Sequence, residues 1–243
     1  MTETLAVIPA RLQSTRLPEK PLLKLRGREL VLHVLDGVRS SRLVDRVIVA
    51  TDSERVAAVV RNAGGDAVIT PESLPTGGDR VAFAAREVPS RYVLNVQADD
   101  PTVCAQVIDP MVEALRAEDG IKLALLVKRI DDPAEVMRES IVKAVFDRNG
   151  RALYFSRSPI PFPRNEGAEY YKHIGPYAWR REALLEFADL SQTPLERSEN
   201  LEMLRVIENG WTIRCIETER DSIEIDTPED VKAFDRYPFR KDT

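Results

Sequence analysis

The sequence predicts an α/β fold with a mostly parallel, mixed central sheet and helices on both of its faces. Short apolar runs typical of buried strands alternate along the chain with stretches in which apolar residues recur at helical spacing. The first third forms a βαβ unit, with a strand at 5–8, a helix at 30–38 and a strand at 47–50. Ligands of such sheets bind beyond the carboxyl ends of the strands, so function is sought in the loops that follow strands.

The remaining predicted elements continue this alternation. Further strands are predicted at 67–69, 92–96, 123–127 and 212–215, and further helices at 53–63, 80–87, 106–116, 182–188 and 198–209. Ser53 is expected to cap the helix that follows it, and a last helix begins at Pro228. The segments 142–146 and 152–155 are expected to pair as a hairpin through Asn149 and Gly150, which makes the sheet mixed.

Composition and charge exclude several classes of protein. A chain of 243 residues with 43% hydrophobic content fits one domain, 1–243, without an internal linker or repeat. A net charge of -5 gives no broad field that would attract nucleic acid or anionic lipid, so neither partner is expected. The apolar run 5–10 is too short for a signal peptide or a membrane span, and we expect a cytoplasmic protein. Cys104 and Cys215 lack metal-type spacing and are expected to be free thiols.

The loop after the first strand has the residue types that a polyphosphate requires. The chain has neither a Gly-x-Gly-x-x-Gly motif after this strand nor a Walker-type phosphate loop, which disfavours dinucleotide oxidoreductases and P-loop kinases. Instead, the loop at 9–21 contains three cations, Arg11, Arg16 and Lys20, and the hydroxyl of Ser14. Guanidinium and ammonium groups bind phosphate oxygens, so this loop is a candidate triphosphate site. The alternative is a solvated basic loop.

Two further stretches offer carboxylates for a metal ion. Asp99 and Asp100 follow the strand at 92–96, at the same predicted edge of the sheet as the basic loop. Asp226, near the last helix, is a candidate partner, and carboxylate oxygens are the ligands that Mg²⁺ prefers. Strand-end aspartates are also common as turn formers, and Asp226 can equally begin a helix, so both interpretations stay open.

Several motifs together resemble one family, the CMP-Kdo synthetases or 3-deoxy-manno-octulosonate cytidylyltransferases. The matches run in order from about Leu5 to Val231, and CMP-sialate synthetases fit less well. The motifs are Pro9-Ala10-Arg11, Ser14-Thr15-Arg16-Leu17-Pro18, Lys20-Pro21, Ala50-Thr51-Asp52, Asn95-Val96-Gln97, Leu153-Tyr154-Phe155-Ser156-Arg157 and Asp226-Thr227-Pro228-Glu229-Asp230. The combination of a phosphate loop with the Asp-Thr-Pro-Glu-Asp end makes a chance similarity improbable.

The resemblance implies a three-layer, Rossmann-like nucleotidyltransferase fold and a CTP-dependent enzyme. Its members need Mg²⁺ and transfer CMP from CTP to the hydroxyl of Kdo, an acidic sugar, for lipopolysaccharide biosynthesis. A homodimer is implied as well, with a hairpin-containing segment near 130–195 for substrate binding and dimerisation.

The resemblance also implies roles for individual residues. The implied catalytic residues are Arg11, Arg16, Lys20, Asp99 and Asp226, of which Asp99 and Asp226 would bind Mg²⁺. The implied nucleotide-binding residues are Ala10, Arg11, Ser14, Arg16, Lys20, Thr76, Gly77 and Arg80. The implied sugar-acid pocket consists of Gln97, Arg157, His173, Tyr177 and Glu202. Arg157 suits a substrate carboxylate, whereas His173 or Tyr177 alone would be interpreted as a core residue.

Some positions depart from the pattern of this family. Met203 stands where the family usually has Gln, Pro176 where an aliphatic residue is common, and Ala98 where Gly is usual. A thioether lacks the hydrogen-bonding capacity of an amide, so the alternative acceptors are an amino-ulosonate, a sialic-type acid or a small phosphonate. A non-catalytic nucleotide-binding regulator on the same fold is the alternative from another class.

Overall fold

The computed structural model describes residues 2–13 and 17–237, in which one large sheet lies between two layers of helices. The strands are β1 (Thr4–Ala10), β2 (Lys24–Leu25), β3 (Arg28–Glu29), β4 (Arg46–Thr51), β5 (Asp66–Ile69), β6 (Tyr92–Asn95), β7 (Ile121–Arg129), β8 (Lys143–Phe146), β9 (Ala152–Ser156), β10 (Tyr171–Arg180) and β11 (Thr212–Glu217). The helices are α1 (Leu30–Arg39), α2 (Glu54–Asn62), α3 (Gly77–Glu87), α4 (Ala105–Ala117), α5 (Pro133–Val136), α6 (Arg181–Asp189), α7 (Pro194–Glu199), α8 (Glu202–Glu208) and α9 (Pro228–Arg236), with a short 3-10 helix at Lys20–Leu22.

The sheet is mixed and mostly parallel, as the sequence predicts. Its main strand order is β11-β7-β10-β6-β1-β4-β5, and β8 joins β10 at the side and pairs with β9. Strand β1 is parallel to β4 and β6, and β4 is parallel to β5. Strands β7 and β11 are also parallel, whereas β10 is antiparallel to both β6 and β7. The carboxyl ends of β1, β4 and β6 therefore meet at one edge.

Both faces of the sheet are buried, which confirms the three-layer arrangement. On one face, Ala6 and Ile8 of β1 pack with apolar residues of α1, α2, α4 and α9. On the other face, Leu5 and Val7 pack with α3, α6 and α8. These four side chains are fully buried, and burying each of the larger three, Leu5, Val7 and Ile8, stabilises the fold by about 1.5–3 kcal/mol. Strand β1 is thus a rigid support for the loop that follows it.

Within the described ranges, no helix combines the length and apolarity needed to cross a membrane.

Strand β10 is absent from the prediction, although it is central to the sheet. Its middle contains Gly175 and Pro176, residues that normally demote a segment from a central strand. The register with β7 shifts between Ile174 and Tyr177, so a local irregularity in the pairing accommodates the proline. The hairpin of β8 and β9 forms as predicted, with Gly150 at φ 74° in its turn.

The single helix predicted at 198–209 is wrong, because two helices occupy this part of the chain. Helix α7 begins at Pro194, where the Glu196 carboxylate accepts a hydrogen bond from the Thr193 N–H at 3.2 Å. It ends at Asn200, which has φ 53°. Asparagine tolerates this left-handed conformation better than most residues, and α8 begins two residues later, at Glu202.

Candidate active site

A cavity of about 800 Å³ lies at the carboxyl edge of β1, β4 and β6. The loop after β1 contributes Arg11 and Lys20, and the first residue of α3 contributes Gly77. The loop after β6 contributes Gln97 and Asp99, and the chain just before α9 contributes Asp226. The structure therefore brings the three separated stretches that carry the predicted nucleotide and metal site into one cleft.

Lys20 lies between the two predicted metal-binding aspartates. Its Nζ donates to Asp99 Oδ2 and to Asp226 Oδ1, both at 2.7 Å. Burial alone would lower the pKa of Lys20, but the charges and hydrogen bonds of Asp99 and Asp226 outweigh that effect and raise it above its ordinary value. The lysine is therefore charged at neutral pH.

The remaining oxygen of Asp99 is suited to a cation. Asp99 Oδ1 is buried and has no hydrogen-bond partner within the described residues. A buried carboxylate oxygen without a partner costs free energy, which a bound cation would recover. The described part of the chain contains no group of three or more His, Cys, Asp or Glu residues arranged for a metal. This donor set fits Mg²⁺, which binds through one or two carboxylates and completes its shell with water and phosphate oxygens.

Two contacts hold the segment before α9 against the loop after β6. The Ile225 N–H donates to the Asp99 carbonyl at 2.8 Å, and Ser222 Oγ donates to Asp100 Oδ2 at 2.9 Å. Asp100 is buried and also accepts a hydrogen bond from the Thr102 N–H at 2.8 Å. Burial raises its pKa, although its hydrogen bonds oppose that shift. Of the two consecutive aspartates, Asp100 fixes the segment that carries Asp226, and Asp99 faces the cavity.

Asp52 ties the loop after β1 to helix α3. Its Oδ1 accepts a hydrogen bond from the Leu12 N–H at 3.1 Å, and its Oδ2 lies 3.3 Å from Nη2 of Arg80. Arg80 is fully buried and also donates to the Thr70 hydroxyl. The guanidinium predicted to contact the nucleotide therefore has protein partners behind the cavity, and its nucleotide contact stays a prediction. Arg11 donates to the Pro75 carbonyl at 3.2 Å, across the cleft from β1.

Helix α3 presents its amino end to the same cavity. Thr76 caps the helix, because its Oγ1 accepts the Asp79 N–H at 3.1 Å and the Asp79 carboxylate accepts the Thr76 N–H at 3.0 Å. Gly77 follows at the cavity wall, and a Cβ placed there would come within 3.4 Å of the Pro9 ring. The amino end of a helix carries partial positive charge, which favours an anionic ligand.

Of the other predicted nucleotide-binding residues, Ala10 lies in the sheet, and two belong to the loop that follows β1. Ala10 is buried at the end of β1, with its Cα partner Thr51 on β4. Ser14 and Arg16 lie outside the described residues, so their predicted contacts with phosphate stay predictions.

A second cavity of about 410 Å³ adjoins the first and shares Gln97 and Asp99 with it. Arg157, His173 and Tyr177 line this second cavity, which we call the acceptor cavity. A pouch of about 320 Å³ continues from it past His173 and Tyr177 to Glu202 and Met203. The structure thus places all five predicted substrate residues, together with the divergent Met203, around connected spaces.

Backbone carbonyls accept most of the hydrogen bonds that the Arg157 guanidinium donates. Its Nε donates to the Glu199 carbonyl at 2.9 Å, and its Nη1 donates to the Glu139 carbonyl at 3.0 Å. Lys143, fully buried, donates to the carbonyls of Arg138, Ile141 and Arg157 at 2.5–2.9 Å. Lys143 thereby holds two walls of the acceptor cavity together, a role that the sequence does not reveal.

His173 and Tyr177 form an uncharged wall between the acceptor cavity and the pouch. Their rings stack with centroids 5.4 Å apart, and Phe155 packs on His173 edge to face at 5.6 Å. Burial lowers the pKa of His173 to about 4, so the imidazole is neutral at pH 7. Burial, with the nearby charge of Glu202, raises the pKa of Tyr177 above its ordinary value. Nε2 of His173 is buried and has no hydrogen-bond partner among the described residues.

Glu224 is a further acid beside the site, which the sequence motifs do not identify. It lines the acceptor cavity two residues before Asp226. Burial of the carboxyl group, together with the charges of Asp99, Asp100 and Asp226, raises the pKa of Glu224 to about 7, although Lys20 opposes the shift. Its place two residues before Asp226, in a short stretch that ends at the helix cap, is the signal that could have marked it.

Comparison with known proteins agrees with this geometry. The family described as Cytidylyltransferase matches residues 5–219. A 3-deoxy-manno-octulosonate cytidylyltransferase of Chloroherpeton thalassium is 44% identical over 229 residues, covering 93% of each chain. One of Trichlorobacter lovleyi is 40% identical over 247 residues, covering 96% of this chain and 98% of that one.

A solved structure of CMP:2-keto-3-deoxy-manno-octonic acid synthetase complexed with CTP superposes with a TM-score of 0.93. It is 36% identical in sequence and covers 96% of this chain and 97% of its own. The chain belongs to the cytidylyltransferase family and, within it, to the 3-deoxy-manno-octulosonate cytidylyltransferases, as its motifs predict.

Proposed function

We propose that this enzyme transfers CMP from CTP to the hydroxyl of 3-deoxy-manno-octulosonate and releases pyrophosphate. The observation that carries the proposal is the position of Asp99, which borders both the larger cavity and the acceptor cavity and lies beside Lys20 and Asp226. Two substrates bound in adjoining cavities would meet at this carboxylate. The names of the relatives and of the CTP-bound structure support the choice of CTP and of the sugar acid.

The larger cavity is assigned to CTP in this proposal. Its walls carry Arg11, Lys20 and the amino end of α3 at Gly77, all of which favour a polyphosphate. Asp99 and Asp226 would hold Mg²⁺, to which the unpartnered Asp99 Oδ1 is suited. When bound, Mg²⁺ supplies Lewis-acid stabilisation of negative charge on phosphate oxygens.

The reaction forms one P–O bond and breaks another. The acceptor hydroxyl loses its proton to solvent and its oxygen attacks the α-phosphorus of CTP in line. The bond from the α-phosphorus to the bridging oxygen of the β-phosphate breaks, so that pyrophosphate leaves with the electron pair. Arg11 and Lys20 bind the oxygens on which negative charge grows. The neutral rings of His173 and Tyr177 orient the sugar acid and keep water from its reacting face. Catalysis rests on positioning and charge stabilisation rather than on a covalent enzyme intermediate.

The first test is release of pyrophosphate from CTP, Kdo and Mg²⁺. Asp99→Asn and Asp226→Asn should each lower kcat/KM at least about 100-fold while the circular dichroism spectrum stays unchanged, because each removes a charge that stabilises the site. Asp189→Asn is the matched control, since that carboxylate is exposed and pairs with Arg86 away from both cavities. Normal turnover in Asp99→Asn would overturn the metal assignment.

Another acidic acceptor is the second candidate, because Met203 lines the pouch with a thioether. An amino-ulosonate, a sialic-type acid and a small phosphonate, scored beside Kdo by kcat/KM, decide between acceptors. Higher kcat/KM for one of these acids replaces Kdo in the proposal. A chain that binds CTP with Mg²⁺ but turns over none of the acids would be a nucleotide-binding regulator instead.

A homodimer and a cytoplasmic location also belong to the proposal. Three apolar side chains in or near the hairpin-containing segment are exposed, with Met137 at 71%, Leu153 at 56% and Phe162 at 83%. Contact with a second copy of the chain would remove these apolar groups from water. Sedimentation should show two copies, and Phe162→Ser should weaken their association if this segment forms the contact. No disulfide joins Cys104 and Cys215 within the described residues, which agrees with the proposed reducing compartment.

A further inference from the structure

The contacts of Lys20 bear on when a divalent cation can bind. The Lys20 ammonium donates to one oxygen of Asp99 and one oxygen of Asp226, each at 2.7 Å. The distance between these two oxygens therefore cannot exceed twice that value. The side chain of Lys20 is only 13% exposed. Its backbone carbonyl accepts the Leu23 N–H at 3.1 Å, which closes the short 3-10 helix and fixes the base of the side chain.

We propose that Lys20 is the counter-ion that holds the place of the divalent cation between Asp99 and Asp226, and that the cation binds well only when a triphosphate draws this lysine away. The inference rests on the proposed function, since it takes these two carboxylates as the metal site. It adds a coupling between nucleotide and metal that the proposed reaction does not require.

The charges around Lys20 give the reason for this coupling. Asp99 and Asp226 repel each other at such short range, and one lysine compensates both. A divalent cation placed beside the same ammonium would be repelled by it, and this repulsion lowers the metal affinity of the two carboxylates. A triphosphate brings several negative charges to the cavity, so the ammonium gains phosphate partners and the carboxylates gain the metal.

One carboxylate oxygen at this site does not bind the ammonium group. Asp99 Oδ1 is buried and has no hydrogen-bond partner within the described residues, so it is a ligand atom that the metal can gain while Oδ2 still binds Lys20. The exchange can then proceed without both carboxylates losing their counter-ion at once. Because coupling between two ligands is reciprocal, the metal must also strengthen nucleotide binding by the same factor.

The test measures Mn²⁺ binding to the protein without nucleotide, by electron paramagnetic resonance of the free ion. Lys20→Met removes the charge and keeps the length of the side chain, and we expect it to bind Mn²⁺ about tenfold more tightly than the wild type. Lys20→Arg keeps the charge and should bind as weakly as the wild type. Lys24→Met is the matched control, because Lys24 is 68% exposed and its ion pair is with Glu29, at 3.9 Å. If Lys20→Met does not fold, Lys20→Gln takes its place.

The outcomes separate this inference from the proposed function. Equal Mn²⁺ affinity in the wild type and in Lys20→Met, together with loss of binding in Asp99→Asn, would keep the metal site and overturn the role of Lys20. Unchanged binding in Asp99→Asn would overturn the metal assignment itself, and the role of Lys20 with it. Tighter binding in Lys20→Met that Asp99→Asn abolishes in the double variant supports the inference.

Discussion

The cavity assigned to CTP, which we call the nucleotide cavity, has Lys20 held between two carboxylates, whereas much of the wall of the acceptor cavity consists of uncharged rings and of cations that donate to backbone carbonyls. The acceptor cavity also has one ion pair on its wall, between Lys172 and Asp221 at 3.0 Å. Around the nucleotide cavity, Lys20 joins Asp99 and Asp226, and Asp52 joins Arg80. Around the acceptor cavity, Lys143 and Arg157 donate mainly to carbonyls, and His173 is neutral. A polyphosphate binds to positive charges at fixed positions, and the carboxylates paired with these cations hold them in place. A hydroxylated acid demands shape and hydrogen-bonding groups, which a rigid backbone supplies.

The largest effect is expected from a substitution that breaks the buried ion pair of Asp52 with Arg80, beside the nucleotide cavity. Asp52→Ala leaves Arg80 charged, buried and without its carboxylate, so the free energy of unfolding should fall by about 3–5 kcal/mol. Urea unfolding measures the loss, and KM for CTP should rise because the Leu12 N–H loses its acceptor.

An exposed pair is the control for Asp52→Ala. Asp66→Ala removes the partner of Arg46 where both side chains are about half exposed, and such pairs contribute about 0–1 kcal/mol. Adding Arg80→Met to Asp52→Ala should recover part of the lost stability. Equal losses in Asp52→Ala and Asp66→Ala would mean that burial does not distinguish the two pairs.

The second prediction concerns the neutral wall of the acceptor cavity. The pKa of His173 is about 4 in the folded chain and about 6.5 when unfolded, so the unfolded chain binds more protons between these values. The contribution of neutral His173 to the free energy of unfolding is therefore fully present above pH 6.5. It falls by no more than about 3 kcal/mol as the pH drops to 4.

His173→Phe keeps the ring and removes the titration. Urea unfolding at a series of pH values should show a smaller loss between pH 6.5 and 4 in this variant than in the wild type. His33→Gln, which replaces the histidine whose Nε2 lies 2.8 Å from the Leu25 carbonyl, is the control. Parallel pH curves for the wild type and His173→Phe would contradict a neutral buried imidazole.

The third prediction separates the two cavities in kinetics. Lys143→Met removes a hydrogen bond from each of three carbonyls, of which that of Arg138 keeps the Ile141 N–H as a donor, so the free energy of unfolding should fall by about 2 kcal/mol. The walls that they hold belong to the acceptor cavity, so KM for the acceptor should rise about tenfold. KM for CTP should stay close to the wild-type value.

Lys232→Met is the control for Lys143→Met, since Lys232 is exposed on α9. A matching rise of both Michaelis constants in Lys143→Met would show that the two cavities are not independently supported.

The smallest expected effect is at the amino end of α3. Thr76→Ala removes the cap and should cost about 1 kcal/mol of stability, with a rise in KM for CTP but not for the acceptor. Asp132→Ala removes the cap of α5 in the same way, and its KM for CTP should not change. A similar KM for CTP in both variants would remove α3 from the nucleotide site.

Much of the fold follows from local pattern, because buried strands and amphipathic helices are recognisable over short windows of sequence. Strands β1, β4 and β6 are rich in apolar residues, so the sequence alone predicts that the loops after them lie at one edge of the sheet. Strand β10 is not predictable in this way, since its Pro176 is tolerated only through a register shift that depends on β7. The helix boundary at Asn200 depends on one left-handed residue.

The residues of the site also fall into two groups, those that are predictable from local sequence and those that depend on tertiary contacts. Asp99 and Asp226 are recognisable from the sequence as acids at a sheet edge and a helix start, and the structure brings them together. The position of Lys20 between them is not predictable, because it joins residues 79 and 206 positions away. The roles of Asp52 and Lys143 likewise arise only from tertiary contacts, since neither spacing nor residue type marks a buried partner.

The interruption at Asn200 has a consequence for the substrate side. In an uninterrupted helix, the carbonyl oxygens of Glu199 and Asn200 would be consumed by amides four residues further on. Here the Leu204 N–H turns instead to Leu201, and both carbonyls accept hydrogen bonds from Arg157. The positive φ of a single residue thus leaves two backbone carbonyls available to bind the Arg157 guanidinium at the wall of the acceptor cavity.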